Sequence, residues 1–436
     1  MTASSPASAP PARLGAVQIA AVTVGNGLEF YDFLIYSTFA IYIGKAYFPA
    51  HDPVVSLLLS LATFGIGFVT RPIGGVVLGR MGDRIGRKPA MLIAFALMGV
   101  GVLALAITPS YGQIGMAAPI IVIVARLVQG FALGGEVGPS TAYLVEAASP
   151  GLRGIVGSLQ ASSQGLAILA ASAVAVLLAL ILPTSALESW GWRLGFMVGL
   201  IIIPFGILAR RSLPETAPHH VAPESAAGAA RSVPWRLVIL GGLMITGGTI
   251  NTYVNSYMTT YAMDSLHLSP QVSFGAGVIN GGCLFVLAPL GGWLSDRFGR
   301  RTVLIPAIVL LMAVTLPSFA LLVSHPSPTT LFAAMTLVSL PGGFVSGTML
   351  VMITESFPAR MRCLALGTIY AVAVAFFGGT TQVVVAWLVH ATGQPMAPAV
   401  YRMAALAIAL LATLSMPESS PAKIAASRAK AALAAA

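Results

Sequence analysis

Charge is what this sequence has least of. Only 8% of its 436 residues are Asp, Glu, Lys or Arg, while 57% are hydrophobic and the mean hydropathy is +0.90. A water-soluble domain carries roughly a quarter charged residues, so a soluble fold is excluded. Cysteine is almost absent. Cys283 and Cys363 sit in separate apolar stretches without ligand spacing, which excludes a disulfide framework and a cysteine metal site. The opening MTASSPASAPPA has no basic start leading into an apolar core, so residues 1–12 are expected to be a disordered tail and not a signal peptide. Intramembrane hydrolysis has no support either: there is no His-Glu-x-x-His and no Ser/His/Asp set at one depth. Gly65-Ile-Gly67 and Gly275-Ala-Gly277 follow no strand, so they are packing positions and not phosphate loops. No enzyme, cofactor or metal is expected.

What the chain has is long uncharged runs: 89–125, 154–187, 237–263, 302–354 and 363–401. Roughly 20 apolar residues cross a bilayer as a helix. Cut at turn clusters such as Pro109-Ser110-Tyr111-Gly112, the runs predict about twelve helices. These lie near 16–44, 54–79, 89–108, 114–146, 154–182, 193–210, 237–263, 271–294, 302–323, 329–355, 362–390 and 397–416. The net charge of +10 then reads as orientation and not as affinity for nucleic acid. With the amino terminus cytoplasmic, 18 of the 23 basic residues fall in cytoplasmic segments, only Lys45, Arg193 and Arg402 fall outside, and Arg71 and Arg126 lie within helices. Both termini are expected to be cytoplasmic.

The chain also repeats. Gly79-Arg80-Met81-Gly82-Asp83-Arg84-Ile85-Gly86-Arg87-Lys88 returns as Ser295-Asp296-Arg297-Phe298-Gly299-Arg300-Arg301. Glu146…Arg153 returns as Glu355…Arg362, and Leu213-Pro-Glu215 as Met416-Pro-Glu418, all at offsets of 203 to 213 residues. Three anchors in one order imply two six-helix bundles of the same orientation, a parallel repeat about an axis along the membrane normal. The expected division is a bundle at 13–212, a cytoplasmic linker at 213–235, a bundle at 236–417 and a tail at 418–436.

On these residues the chain resembles the major facilitator superfamily over nearly its whole length. Gly25-Asn26-Gly27-Leu28-Glu29-Phe30-Tyr31-Asp32-Phe33, Arg71-Pro72-Ile73-Gly74, Arg126…Gln129-Gly130…Gly134-Gly135-Glu136 and Gly191-Trp192-Arg193 resemble its metabolite:proton symporter family. The stretch from Thr108 to Gly130 and Phe377-Gly378-Gly379 are nearest in look to the citrate and tricarballylate branch. The resemblance implies alternating access in a bacterial inner membrane. The cargo classes it implies are di- and tricarboxylates, shikimate, and zwitterions such as proline or betaine. It further implies that the hairpin is a cytoplasmic latch: Gly79, Asp83, Arg84, Gly86, Arg87, Lys88, Glu146 and Arg153 in the first half, with Asp296, Arg297, Arg300, Glu355 and Arg362 in the second.

Ionisable groups at bilayer depth are few, and each costs several kcal/mol by rough scales unless paired or hydrated. Glu29 and Asp32 share a face of the first helix, and the fourth carries Arg126, Gln129 and Glu136. An Asp32–Arg126 or Glu29–Arg126 pair is expected. Pairing favours the ionised carboxylate and burial the neutral one, so the pair suits proton coupling, although a static ion pair has the same signature. Arg71 either binds a substrate carboxylate or snorkels to backbone carbonyls. Gln160 and Gln164 share a face and could donate to an anion or simply join helices. The second half offers neutral donors instead: Asn251, Tyr253, Asn255, Tyr257, Asn280 and Gln382. The expected cargo is a small organic anion moving with protons, carried by a lipid-embedded monomer. The alternatives are a zwitterionic osmolyte or shikimate, with a drug exporter or a non-translocating receptor behind them.

Overall fold

The computed structural model describes residues 16–134, 140–211 and 234–429, leaving aside Gly86, Ala142, Tyr143, Ala147, Pro150, Ala426 and Arg428. The described elements are helices, arranged as twelve crossings. The first crossing is α1 (Ala16–Thr38) continued by α2 (Ala40–Tyr47), and the second is α3 (Pro53–Ile66) continued by α4 (Arg71–Ile85). Then follow α5 (Arg87–Ile107), α6 (Ala117–Leu133), α7 (Arg153–Ile181) and α8 (Arg193–Arg211). The second half has α9 (Trp235–Asp264), α10 (Pro270–Phe298), α11 (Arg300–Ser324) and α12 (Pro328–Ser356). Its eleventh crossing is α13 (Ala359–Ala373), a π turn at Val374–Gly378 and α14 (Gly379–Thr392), and α15 (Ala397–Ser415) closes the bundle. Among the described residues, eight helical spans are long and apolar enough to cross a membrane. Exposed Val100, Ile107, Ile120, Leu177, Leu180, Ile201 and Leu411 form an apolar exterior that only lipid would leave uncovered.

The predicted helices match these within a few residues, except where single helices prove to be broken. The second crossing interrupts at 67–70 because Pro72 has no N–H to give. Phe68 N bonds Gly65 O, Val69 N bonds Ile66 O and Arg71 N bonds Phe68 O, tightening the chain into i→i+3 turns. The Phe64 carbonyl takes Arg126 Nη2 at 3.3 Å, which shows how irregular backbone at membrane depth is satisfied. The eleventh crossing carries its π turn beside Gly378 and Gly379. The predicted fourth helix, 114–146, is described as α6 with further helical residues at 140, 141 and 144–146.

The basic hairpins mark one end of the bundle, here the hairpin end; Pro53, Pro270 and Thr392 lie toward the far end. The two halves meet most extensively along α7 and α10. There Gly165 and Gly281 let backbones touch: a Cβ at Gly165 would lie 2.4 Å from Phe285 N, and one at Gly281 2.3 Å from Leu169 N. The far end is shut across the seam. Phe39 and Phe274 rings meet at 5.3 Å, Gln271 Nε2 donates to Ala179 O at 2.8 Å, and Gly65 packs on the Gly379 carbonyl.

Candidate functional site

Two arginines face one aromatic ring. Arg71 opens α4 immediately after the break, with its guanidinium 4.6 Å from the Phe33 ring and 4.1 Å from Phe68. Arg126 on α6 lies 4.2 Å from the same Phe33 ring, 4.6 Å from Tyr36 and 5.1 Å from Phe64. Arg126 is fully buried and Arg71 is 4% exposed. Arg126 Nη1 donates to Gln129 Oε1 at 2.8 Å, while Arg126 Nε and Arg71 Nε and Nη2 have no hydrogen-bond acceptor. Among the described residues neither arginine pairs with a carboxylate. Cation–π contacts give about 0.5–2 kcal/mol each, less than the desolvation of a guanidinium, so the two cations leave an unmet demand for an anion.

The second half comes to meet them. Tyr253 of α9 packs edge-on against Phe68 at 5.3 Å and Phe64 at 6.0 Å, with its hydroxyl beside Arg71. Tyr370 of α13 also faces Arg71, with its hydroxyl beside Gln164 of α7. Arg71, Tyr253, Tyr370 and Gln164 therefore converge from four helices, two in each half. Tyr370 and Phe33 did not stand out in the sequence, because an aromatic residue in an apolar run carries no signal of its own.

Several expected groupings are not made. Asp32 is 2% exposed, but it turns toward α8, where a Cβ on Gly199 would fall 1.9 Å from Oδ1. Phe33 occupies the face toward the arginines, and Asp32, about 100° round the helix, cannot share it. The expected Asp32–Arg126 pair is thus absent here, as is one between Glu29 and Arg126. Glu29 is buried, at 4% exposure. Gln129 packs against Gly101 and steadies Arg126. Gln160 is held in a closed network: its Nε2 donates to Asn26 Oδ1 at 2.7 Å, Asn26 Nδ2 donates to Ser163 Oγ at 2.7 Å, and Ser140 Oγ donates to Gln160 Oε1 at 3.3 Å. Gln382 Nε2 donates to Ser37 Oγ at 2.8 Å, so it bridges the halves toward the far end. Tyr257 is buried beside Tyr261, away from the arginines. Asn251, Asn255 and Asn280 gather separately in the second half. Glu136 lies outside the described residues.

One correction concerns Arg402. The charge count puts it outside, yet it is fully buried in α15, with Nη2 donating to Asn255 Oδ1 and the guanidinium 5.5 Å from the Phe319 ring. It is the sixth residue of the helix, where a loop-based count treats charge as exposed.

At the hairpin end the second copy is assembled. Arg300 Nη1 contacts Asp296 Oδ1 at 2.8 Å, and Arg300 Nε and Nη2 hold both Glu355 oxygens at 2.9 and 3.1 Å. Asp296 also crosses to the first half, accepting from Gly154 N at 2.8 Å and Ile155 N at 3.1 Å, first-turn amides of α7 that have no acceptor within the helix. Glu418 caps α11 through Arg300 N and Arg301 N, and Ser419 Oγ donates to Glu355. The Met416-Pro-Glu418 anchor, read in the sequence only as a boundary, is part of this cluster. Two expected members are not: Arg297 lies over Trp293 at 4.9 Å and Arg362 Nε bonds the Phe357 carbonyl. Glu146 and Arg84 are exposed, and a Cβ on Gly79 would meet open space. Arg153 is half-buried with Nε unbonded. Asp83, Gly86, Arg87 and Lys88 lie outside the described side chains.

Each charge-assisted bond from Asp296 to an α7 amide contributes about 1.5–3 kcal/mol. Asp296→Ala is therefore expected to favour opening of this seam. Faster maleimide labelling of a cysteine placed at Ser158, on a background lacking Cys283 and Cys363, checks it; unchanged labelling would mean the amide contacts do not hold the seam.

The family described as sugar (and other) transporter matches residues 17–236, and the major facilitator superfamily matches residues 276–435. The chain belongs to the major facilitator superfamily. It is 37% identical to the citrate-proton symporter of Klebsiella pneumoniae over 93% of this chain and 92% of that protein. It is 31% identical to the proline/betaine transporter of Salmonella typhimurium over 92% of this chain and 83% of that one. Among solved structures, that of a D-xylose-proton symporter superposes with a TM-score of 0.74 at 18% identity, covering 93% of this chain and 98% of that one.

Proposed function

We propose that this protein imports a small organic anion, a di- or tricarboxylate, together with protons by alternating access. The carrying observation is the pair of buried guanidiniums flanking Phe33 with no carboxylate partner among the described residues. Arginine binds carboxylate through two parallel N–H donors, which a sugar cannot match with equal strength. Tyr253, Tyr370 and Gln164 add neutral donors from both halves, so a bound anion would draw the halves together. The proton is assigned to Asp32, with Glu29 and Glu136 as further candidates: a carboxylate buried away from the arginines is costly to keep charged. The symporter from Klebsiella supports this reading by its name and its 37% identity. The relative named for proline and betaine favours a zwitterion as the second reading.

The orientation proposed from the basic residues puts the hairpin end and both termini in the cytoplasm of a bacterium, with the protein a monomer in the inner membrane. The Asp296–Arg300–Glu355 cluster would then be a cytoplasmic latch, and the closed far end would face outward.

The test is uptake of radiolabelled citrate into proteoliposomes under an inward proton gradient, with tricarballylate, 2-oxoglutarate, shikimate and proline as competitors. Gradient-dependent accumulation blocked by tricarballylate is the expected result. Accumulation of proline or shikimate, with citrate excluded, would overturn the tricarboxylate reading and leave symport standing.

A further inference from the structure

The carboxyl-terminal segment leaves a groove at the hairpin end, apart from the arginine site. Residues 421–425 form a short helix beside the start of α11. Between the two lies a cavity of about 690 Å³, a volume within the range of small-molecule sites. Arg301, Thr302, Lys423 and Ser427 line its polar side, and Ile305, Pro306 and Ile424 its apolar side.

The charge in this groove is positive and unanswered. Glu418 also borders it, but its oxygens are taken by the backbone N–H groups of Arg300, Arg301, Ser419 and Ser420 at 2.9 to 3.1 Å. Lys423 Nζ donates to the Phe298 carbonyl at 3.3 Å and to Thr302 Oγ1. Arg301 Nη2 donates to the Leu414 carbonyl at 2.8 Å, and its Nε has no acceptor. Both cations therefore rest on neutral oxygens, and neither side chain pairs with a carboxylate among the described residues. After Glu418 the sequence adds Lys423, Arg428 and Lys430 and no acidic residue. An anion is the complement, and a metal cation is disfavoured by the same charges.

The apolar side decides which anion. Pro306, Val309, Leu310, Ala313 and Leu316 are exposed along one face of α11 at spacings of three and four. This strip leads from the groove toward mid-membrane. A soluble phosphate would use the cations alone, whereas a phospholipid uses cations and strip together. A zwitterionic headgroup would bring its own ammonium against Lys423. We propose that the groove binds an anionic phospholipid, its phosphate held by Lys423 and Arg301 and an acyl chain lying along Pro306, Val309 and Leu310. Glu418 and Ser419 tie the same segment to Arg300 and Glu355, so a lipid that holds the segment on α11 also steadies the hairpin-end cluster. This inference goes beyond the cargo reading and does not depend on it.

The experiment titrates the purified full-length protein in detergent with dioleoylphosphatidylglycerol, dioleoylphosphatidylcholine and inorganic phosphate. Native mass spectrometry counts bound ligand, and melting temperature is followed alongside. Phosphatidylglycerol is expected to bind at least tenfold more tightly than phosphatidylcholine and to raise the melting temperature. Combining Lys423→Gln with Arg301→Gln is expected to weaken phosphatidylglycerol at least tenfold and to abolish that rise. Ser427→Glu, on an exposed residue, sets a negative charge on the groove wall and should do the same at an unchanged melting temperature without lipid; it decides the matter should the double variant fail to fold. Equal binding of the two lipids, or wild-type phosphatidylglycerol affinity in Ser427→Glu or in the folded double variant, overturns the site. Inorganic phosphate that binds as tightly as phosphatidylglycerol overturns the lipid assignment in favour of a soluble anion.

Discussion

Asp32→Asn is expected to abolish concentrative uptake while leaving exchange intact. The carboxylate is 2% exposed and has an oxygen without a hydrogen bond, pressed against Gly199 of α8. Asparagine fills the same space, so packing between α1 and α8 survives; what is lost is the ability to gain and release a proton as the two helices shift. A gradient of two pH units supplies about 2.7 kcal/mol per coupled proton, or roughly a hundredfold accumulation. The variant should equilibrate citrate across proteoliposomes and go no further, while counterflow of labelled for unlabelled citrate continues at wild-type order. Gradient-driven accumulation by the variant would move the proton to Glu29 or Glu136. Arg126→Gln separates the roles: it should raise the half-saturating citrate concentration without uncoupling what transport remains.

Asp32 also shows what the sequence could and could not say about this site. Spacing puts Glu29 and Asp32 on one helical face and marks Arg71 and Arg126 as lone cations in apolar runs, and those facts survive. Partnership does not follow from spacing, because which neighbour a face meets depends on how crossings pack. Phe33, one residue on, points to the arginines and leaves Asp32 to α8. The twelve crossings were legible from long apolar runs cut at turn clusters, whereas the break at 67–70 needed the Pro72 geometry to be taken at its word. Gln160 and Gln164 looked alike in sequence, yet one is locked to Asn26 and the other meets Tyr370. Arg402 was misplaced because a charge near a predicted helix start reads as surface. Glu418 was visible as a repeat but not as a cap, since the amides it satisfies belong to a helix more than a hundred residues earlier.

Gly65→Trp is expected to stop transport in both directions and hold the far end open. In the closed arrangement a Cβ at Gly65 would lie 2.1 Å from the Gly379 carbonyl oxygen and 2.9 Å from its carbon. Both are backbone atoms on a crossing that Ser37 and Gln382 fix in place, so they cannot swing aside as a side-chain end would. Overpacking by even a methyl costs about 1–3 kcal/mol, and an indole cannot fit at all without parting α3 from α14. A bias of about 2.7 kcal/mol already shifts a two-state equilibrium a hundredfold. Uptake and counterflow should therefore fall to about 1% of wild type or below, while a thiol probe added from the far side labels a cysteine at Ser37 faster than in wild type. Wild-type transport by Gly65→Trp would mean that α3 and α14 need not touch during the cycle, and the far-end closure would then not be a gate.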